Sequence, residues 1–241
     1  MPDTTVHQAG AWNLKVGRNP ERVAREVLAL LLEHDLDWLT VCEAHGYIGA
    51  LRRLLRLHGY VVLTNTTDGS AMDSAIIVRK SLRKRRPGTL HRLGGVEWER
   101  KPGRPGLHWP RSANSAVVDD VLARVMATHL PPGPFGPRFP LRRLAFRTAV
   151  SRLERVGRRW NKRRKAGKPL PWVMAGDWNM HKNSPGTDDA PTPAWLAERL
   201  RATITGDGID YVMHRHCKVS RYRRVQHGRS DHLPVLFTVT Y

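Results

Sequence analysis

Two patterns alternate along the chain: short apolar runs that break off at a polar residue, and longer stretches in which apolar positions recur every three or four residues. The first predicts strands, the second amphipathic helices. An opening strand is predicted around Ala11 to Val16. Asn19-Pro20 then offers an N-cap followed by proline at the first helical position, with Val23, Val27, Leu30 and Leu31 at helical spacing behind it. Trp38 to Cys42 reads as a buried strand, Ile48 to Leu57 as a helix closed by Gly59, and Tyr60 to Leu63 and Ala75 to Val78 as strands. Ser115 to Val118 and Leu122 to Thr128 flank Asp119-Asp120 as a hairpin. Pro171 to Ala175, Ile209 to Met213 and Leu233 to Tyr241 are again strands, and a helix runs from Thr192-Pro193 through Arg201.

Between these halves lies Pro131 to Pro140, where five of ten residues are proline and two are glycine, so neither a helix nor a ladder can persist. It reads as a loop (131–140) inside one domain of 1–241 rather than as a boundary. An arginine-rich helical segment (141–168) follows, with Leu144, Val150, Leu153 and Val156 as its apolar stripe. Strands alternating with helices at this spacing predict layered α/β architecture.

Composition changes the picture mainly through charge. Against 21 acidic residues stand 41 Lys and Arg, a formal net charge of +20. The excess is concentrated: residues 138–168 hold thirteen basic side chains and the single acid Glu154, while 79–86 and 215–229 add six each. One basic run is ordinarily a solvated face, but three on an otherwise slightly acidic chain favour a polyanionic partner, since each neutralised phosphate releases counterions. The arginines expected to meet it are Arg142, Arg143, Arg147, Arg158, Arg159, Arg163 and Arg164. Trp98, Trp109, Trp160 and Tyr222 lie in or near basic stretches, where they serve equally as core aromatics or as stacking platforms for single strands. No apolar run reaches the roughly 20 residues that span a bilayer, and the start lacks a signal-peptide pattern. The expectation is a soluble, intracellular monomer, cytoplasmic or nucleoid-associated, with Cys42 and Cys217 reduced.

The polar residues that end the strands are the candidate chemistry: Asn13, Glu43, His129, Asp177, Asn179, Asp210, and the pair Asp231-His232. Singly, each is as readily a turn former or a packing histidine. Together they recur in one context, and oxygen ligands converging from several strands are what a hard cation such as Mg²⁺ requires. Zinc-type spacing of Cys and His is absent.

The ordered set Trp12-Asn13, Cys42-Glu43, Thr128-His129-Leu130, Gly176-Asp177-Trp178-Asn179, Ile209-Asp210-Tyr211 and Ser230-Asp231-His232-Leu233-Pro234-Val235 resembles the endonuclease/exonuclease/phosphatase superfamily, in particular its deoxyribonuclease and exonuclease III-like members. The resemblance runs from residue 12 to the C-terminus, covering residues 138–168 poorly. It implies a four-layer α/β sandwich, two packed mixed β-sheets flanked by helices, that cleaves phosphate esters with Mg²⁺, Mn²⁺ being the alternative ion. Carried over, it implies Glu43 as principal metal ligand with Asn13 beside it and Asp231 as a further ligand. Asp177 would position or deprotonate the attacking water, and Asn179 would orient phosphate or nucleophile. His232 would contact the scissile phosphate, with Asp210 orienting it and His129 as a second phosphate-side histidine. The residue before the glutamate is commonly Gln and the aromatic in GDWN commonly Phe, where this chain has Cys42 and Trp178. Arg111 is a weak match to the family's phosphate-side cation. Charge then favours nucleic acid as the substrate, and the resemblance to deoxyribonucleases implies DNA before RNA. The alternatives are a phosphatase acting on a lipid or small-molecule phosphate, and a non-catalytic nucleic-acid-binding protein on the same fold. A lipid surface as partner of the basic arginine helix stays open.

Overall fold

The computed structural model describes residues 4–15, 18–64, 74–82, 89–94, 98–101, 104–106, 111–118, 123–130, 140–188 and 190–241. In chain order the elements are β1 (Val6–Asn13), α1 (Pro20–Glu33), β2 (Trp38–Cys42), α2 (Ile48–Leu57), β3 (Tyr60–Leu63), β4 (Ser74–Arg79), β5 (Thr89–Gly94), β6 (Trp98–Lys101), β7 (Arg104–Gly106), β8 (Arg111–Val118), β9 (Ala123–His129), α3 (Pro140–Asn161), β10 (Arg164–Lys165), β11 (Lys168–Pro169), β12 (Trp172–Asp177), α4 (Pro193–Leu200), β13 (Thr203–Asp207), β14 (Asp210–Arg215), β15 (Lys218–Arg224) and β16 (Val235–Thr240). The helix starts follow from local chemistry. Asn19 and Thr192 accept hydrogen bonds from Arg22 N and Trp195 N, and a proline at each first helical position has no N–H to leave unpaired.

The strands form two six-stranded sheets, ordered β15-β16-β1-β2-β4-β3 and β13-β14-β12-β9-β8-β5, with β10/β11 and β6/β7 as separate pairs. Both sheets are mixed: β1 runs parallel to β2 and β9 parallel to β12, while the other pairings are antiparallel. Period-two alternation divides the core. Leu39, Val41, Ala75 and Ile77 pack on α1 and α2 outside the first sheet, and Met126, Met174, Tyr211 and Met213 pack on α3 and α4 outside the second. Ala9, Ala11, Ile76, Ala127, Val173, Ala175, Val212 and Phe237 fill the space between the sheets. The result is the four-layer sandwich of two mixed sheets flanked by helices. Among the described residues, no helix is long and apolar enough to cross a membrane.

Toward one end of the sandwich the two sheets touch through hydrogen bonds. Thr40 of the first sheet shares its hydroxyl hydrogen between Gly10 O, 3.3 Å away, and Ala175 O of the second, at 3.2 Å. Cys42 Sγ donates to Thr128 O at 3.0 Å. Gly176 makes this approach sterically feasible. A Cβ there would sit 2.1 Å from the Thr128 carbonyl oxygen and 3.0 Å from Cys42 Sγ, and its φ of +148° is one that side chains disfavour.

Several sequence expectations need correction. The first strand is Val6–Asn13 and not Ala11 to Val16, because a run of small and polar residues, His7 to Gly10, is buried between β16 and β2 and gains its order from them. The helical segment 141–168 stops at Asn161. There the Asn161 side chain is engaged by Trp172 Nε1 and donates to Leu200 O, and Ala166 and Gly167, at φ 48° and 78°, turn the chain into the β10/β11 hairpin. Leu144 is 61% exposed, and Phe146, Ala149 and Trp160 join Val150, Leu153 and Val156 on the buried face. Trp160 is therefore a core aromatic, edge-on to Trp172, and Tyr222 is half-buried with its hydroxyl donating to Asp210 O. Neither is a free stacking platform. The Asp119-Asp120 turn, Trp109 and the loop up to 139 lie outside the described residues, as does the Trp98 side chain; the β8 and β9 that flank the turn pair antiparallel.

Gly176→Ala is expected to lower stability by roughly 2–3 kcal/mol, the cost of combined overpacking and backbone strain. A urea midpoint equal to that of the unaltered protein would show that the sheets do not meet at Gly176 as described.

Candidate active site

The alternation that buries the inter-sheet layer also delivers the polar residues. Along β1, Ala9 and Ala11 face the layer and Asn13 is next in the row; along β9, Val125 and Ala127 precede His129; along β12, Val173 and Ala175 precede Asp177. In β14, Asp210 stands two residues before the layer-facing Val212. Register brings these positions side by side, Asp177 pairing with His129 on one flank and Asp210 on the other. Asn13 spans the two sheets: its Nδ2 donates to Asp177 Oδ2 at 3.1 Å and to Glu43 Oε1 at 3.3 Å. Glu43 lies one residue beyond β2 with a positive φ of 51°, an uncommon conformation for a glutamate that tends to mark functional positions.

Asp177 is 2% exposed and sits at the centre. Its Oδ1 accepts the Asn179 N–H at 2.8 Å, and its Oδ2 lies 3.8 Å from both His129 Nε2 and His232 Nε2. Burial pushes the carboxyl's proton affinity up, Asp210 adds to that, and the two histidines and the Asn179 amide oppose it; the net shift is upward. His232 enters from the loop before β16. Its Nδ1 is 3.0 Å and 3.3 Å from the two Asp210 oxygens, and this hydrogen bond, opposed by burial and reinforced by the charges of Asp210, Asp177 and Asp231, raises its pKa to about 9. The imidazole is therefore cationic at neutral pH. Nδ1–H points to Asp210, and Nε2–H is left on the side of Asp177. Asn179, at φ 52°, donates its Nδ2 to Leu130 O at 2.8 Å, which leaves its amide oxygen to accept.

The residues that sequence reasoning omitted hold these groups in place. Trp12 Nε1 donates to His232 O, Ser230 Oγ donates to Asn13 O and accepts from His232 N, and Tyr222 anchors Asp210 by its carbonyl. Trp178 stacks on Tyr211 with ring centroids 5.1 Å apart and donates Nε1–H to Tyr211 O, a bond a phenylalanine could not make. Trp12, Trp178 and Ser230 were visible as members of the motifs. Lys15 carried no signal at all.

Other expected residues fall elsewhere. Asp231 is exposed, its carboxylate paired with Lys15 Nζ at 2.9 Å; burial works against the ionised form, but Lys15 outweighs it and holds the pKa below the usual range. Arg143, Arg147, Arg158 and Arg159 are exposed on α3, and Arg163 and Arg164 are exposed after its end. Arg111 opens β8 and Arg142 lies in the first turn of α3, but their side chains lie outside the described residues.

Among the described residues, the one group of potential ligand atoms within 4.8 Å of each other is Asp177, Asp210 and His232. In this structure the trio is an ion-pair network, with His232 between the two carboxylates. The oxygen-rich set around it nevertheless suits a hard divalent cation: Glu43 meets Asn13 at the mouth beside a buried carboxylate whose proton affinity is raised, an excess of negative charge that a cation would relieve.

The endonuclease/exonuclease/phosphatase family model matches residues 10–232. No curated protein matches by sequence. Solved structures with the same fold include an endonuclease/exonuclease/phosphatase from Bacteroides vulgatus (16% identity, 98% of each chain covered, TM-score 0.65) and a humanized D. rerio TDP2 (16%, 97% of this chain and 98% of that one, 0.66). D. rerio TDP2 has also been solved with a single-strand DNA product. The human Nocturnin catalytic domain with bound sulfate is similar too (14%, 98% and 96%, 0.61). With the motif residues gathered at one mouth and the family model spanning nearly the whole chain, this protein belongs to the endonuclease/exonuclease/phosphatase family, whose members hydrolyse phosphodiesters or phosphate esters.

Proposed function

We propose that the protein is a divalent-metal-dependent nuclease that hydrolyses phosphodiester bonds of nucleic acid, DNA in the first instance. The observation that carries the proposal is the opposition of a buried, proton-seeking Asp177 and a cationic His232, 3.8 Å apart at the mouth between the sheets. Hydrolysis of a phosphodiester needs an activated water on one side and relief of charge on the phosphoryl oxygens on the other.

Asp177 serves the first need. One of its oxygens is fixed by the Asn179 amide, so the carboxylate has a single orientation. Its raised proton affinity makes it a stronger base than an exposed aspartate, and the Asn179 amide oxygen is placed to accept a hydrogen from the same water. His232 serves the second. Asp210 keeps the ring charged and turned so that Nε2–H donates toward a phosphoryl oxygen, with His129 as a further polar partner on the neighbouring strand. Glu43 is the carboxylate that would hold Mg²⁺ or Mn²⁺, with Asn13 beside it, whereas Asp231 would first have to exchange Lys15 for the ion. When bound, the cation supplies further charge neutralisation at the phosphate. DNA is favoured over a small phosphate ester by the net charge of +20 and the exposed arginines of α3, which a compact phosphomonoester would not need. Similarity to the TDP2 fold, solved with single-strand DNA, points the same way.

Plasmid nicking and single-strand cleavage are expected with Mg²⁺ and not with chelator, falling by about 10²–10⁴-fold in Asp177→Asn and in His232→Ala, as is usual for loss of a general acid or base, while DNA binding persists. Cleavage indifferent to both substitutions would remove the site assignment. Degradation of RNA at an equal rate would overturn the choice of DNA and leave the chemistry standing.

The charge state of His232 is separately measurable in metal-free protein. Because its folded pKa of about 9 lies above the free value of 6.5, the stability contributed by its pairing with Asp210 is complete below about pH 6.5 and is lost as pH rises through about 9. A nitrogen NMR titration should place the ring's midpoint near 9 and show it falling toward 6.5 in Asp210→Asn. A wild-type midpoint at or below 6.5 would mean that the ring is neutral at physiological pH and cannot act as described.

A further inference from the structure

Away from the mouth, on the outer face of the second sheet, a cavity of about 560 Å³ opens between the C-terminal half of α3 and the edge strand β5. It is lined by His91, Val156 and four arginines, Arg152, Arg155, Arg158 and Arg159. Among the described residues, no acidic side chain lines it. Glu154, the one acid of α3, is engaged by Arg158 and by Arg199 of α4. Arg152, Arg155 and Arg159 are three and four residues apart on one helical face, where like charges repel, so the helix tolerates a stripe that works against its own stability. Among the described residues, Arg155 and Arg159 are exposed and meet no carboxylate. Below them the apolar side of the helix is fixed: Val156 and Trp160 are buried, and Trp160 stands edge-on to His91, whose Nε2 lies 2.8 Å from Ser115 Oγ. Burial, with Arg159 and Arg124 adding to it, lowers the His91 pKa to about 4, so the floor is neutral and the walls are cationic.

We propose that this arginine-walled groove binds the phosphodiester backbone of nucleic acid as an anchoring surface separate from the catalytic mouth. The proposal rests on the phosphoesterase reading of the mouth and narrows it to a polymeric substrate, since a small phosphate ester held at Asp177 would not reach the far face of the second sheet. Charge complementarity selects the occupant. Guanidinium groups in an open groove match the repeated anionic oxygens of a phosphate chain and release its counterions. Among the described residues the lining offers guanidinium groups, while Trp160 beneath it is buried in the core, so the contact is assigned to the phosphate backbone, which carries no sequence information.

The test is equilibrium binding of a fluorescein-labelled DNA duplex of arbitrary sequence, in chelator, across a salt series. Arg155→Ala/Arg159→Ala is compared with the unaltered protein and with Arg52→Ala/Arg56→Ala, which removes the same charge from α2. The groove pair is expected to weaken binding at least tenfold and to reduce the slope of log affinity against log salt by about 2, close to one counterion per phosphate contact removed. The α2 pair should retain the original slope. Its melting temperature should not fall for the groove pair, because like-charge repulsion on α3 is relieved. Equal affinity and slope in the two paired variants would overturn the proposal. So would a loss confined to phosphatidylcholine/phosphatidylserine vesicles, which would assign the groove to a lipid surface. Cleavage by the unaltered protein is assayed in parallel with Mg²⁺. Binding that depends on the groove without any cleavage would sink the phosphoesterase reading alone, and cleavage with groove-independent binding would sink this one alone.

Discussion

The close approach of the two sheets at the mouth is the constraint on which everything else depends. Metal-assisted phosphate chemistry needs groups from different strands within a few ångströms, and strands in separate sheets ordinarily stand about 10 Å apart, face to face. Here the gap is narrowed by small residues: Ala9, Ala11, Ala127 and Ala175 line it, and Gly176 lets the backbone of β12 pass the Thr128 carbonyl without a side chain in the way. Thr40 and Cys42 then span what remains with hydrogen bonds. Only at that separation can one Asn13 amide touch Glu43, on the first sheet, and Asp177, on the second. At Cys42, where the family commonly has glutamine, a short thiol reaches the Thr128 carbonyl at 3.0 Å and helps to join the sheets.

Within that narrow mouth the electrostatics follow from burial. A carboxylate at 2% exposure resists ionisation, and the histidines around it offset part of the cost. His232 in turn is charged chiefly because Asp210 is bonded to its other nitrogen, with Asp177 and Asp231 adding to the effect. The two acids thus have opposite effects: Asp210 stabilises a cation, and Asp177 is left as the group with affinity for a proton. That division of labour between similar side chains is set by their neighbours rather than by their identity.

Much of this was legible in the sequence, and the exceptions share a cause. β2, β3, α2 and α4 were readable because their order is local: apolar runs, a capping Thr192, proline at the first helical turn. The candidate site residues were readable as strand ends whose polar content stands out against apolar runs. What stayed hidden depends on partners distant in sequence. β15 is an edge strand of mostly polar and basic residues, paired only because β16 supplies a ladder, and its arginines looked like one more charged surface. The early half of β1 has neither branched nor aromatic residues beyond Val6 and owes its burial to the strands on either side. Helix α3 ran long in the sequence because nothing in an arginine-rich string marks an end; the end is fixed by Asn161 bonding to Leu200 and Trp172, residues that no local window contains. Asp231 shows the reverse difficulty. The resemblance implied it as a further metal ligand, but no local pattern announces the lysine just beyond β1 that its carboxylate pairs with.

The distribution of charge completes the account. Had the basic residues been needed for the reaction itself, they would crowd the mouth. Instead the described mouth carries one strongly cationic side chain, His232, with Lys15 neutralised by Asp231 at its rim, while the exposed arginines of α3 stand on the outer face of the second sheet. This separation has a physical rationale. A field of guanidinium groups beside Asp177 would depress its proton affinity and weaken it as a base, whereas the same charges placed behind a sheet can hold a polyanion without altering the acid–base groups. The fold therefore permits a strongly basic protein to retain a buried carboxylate that seeks a proton.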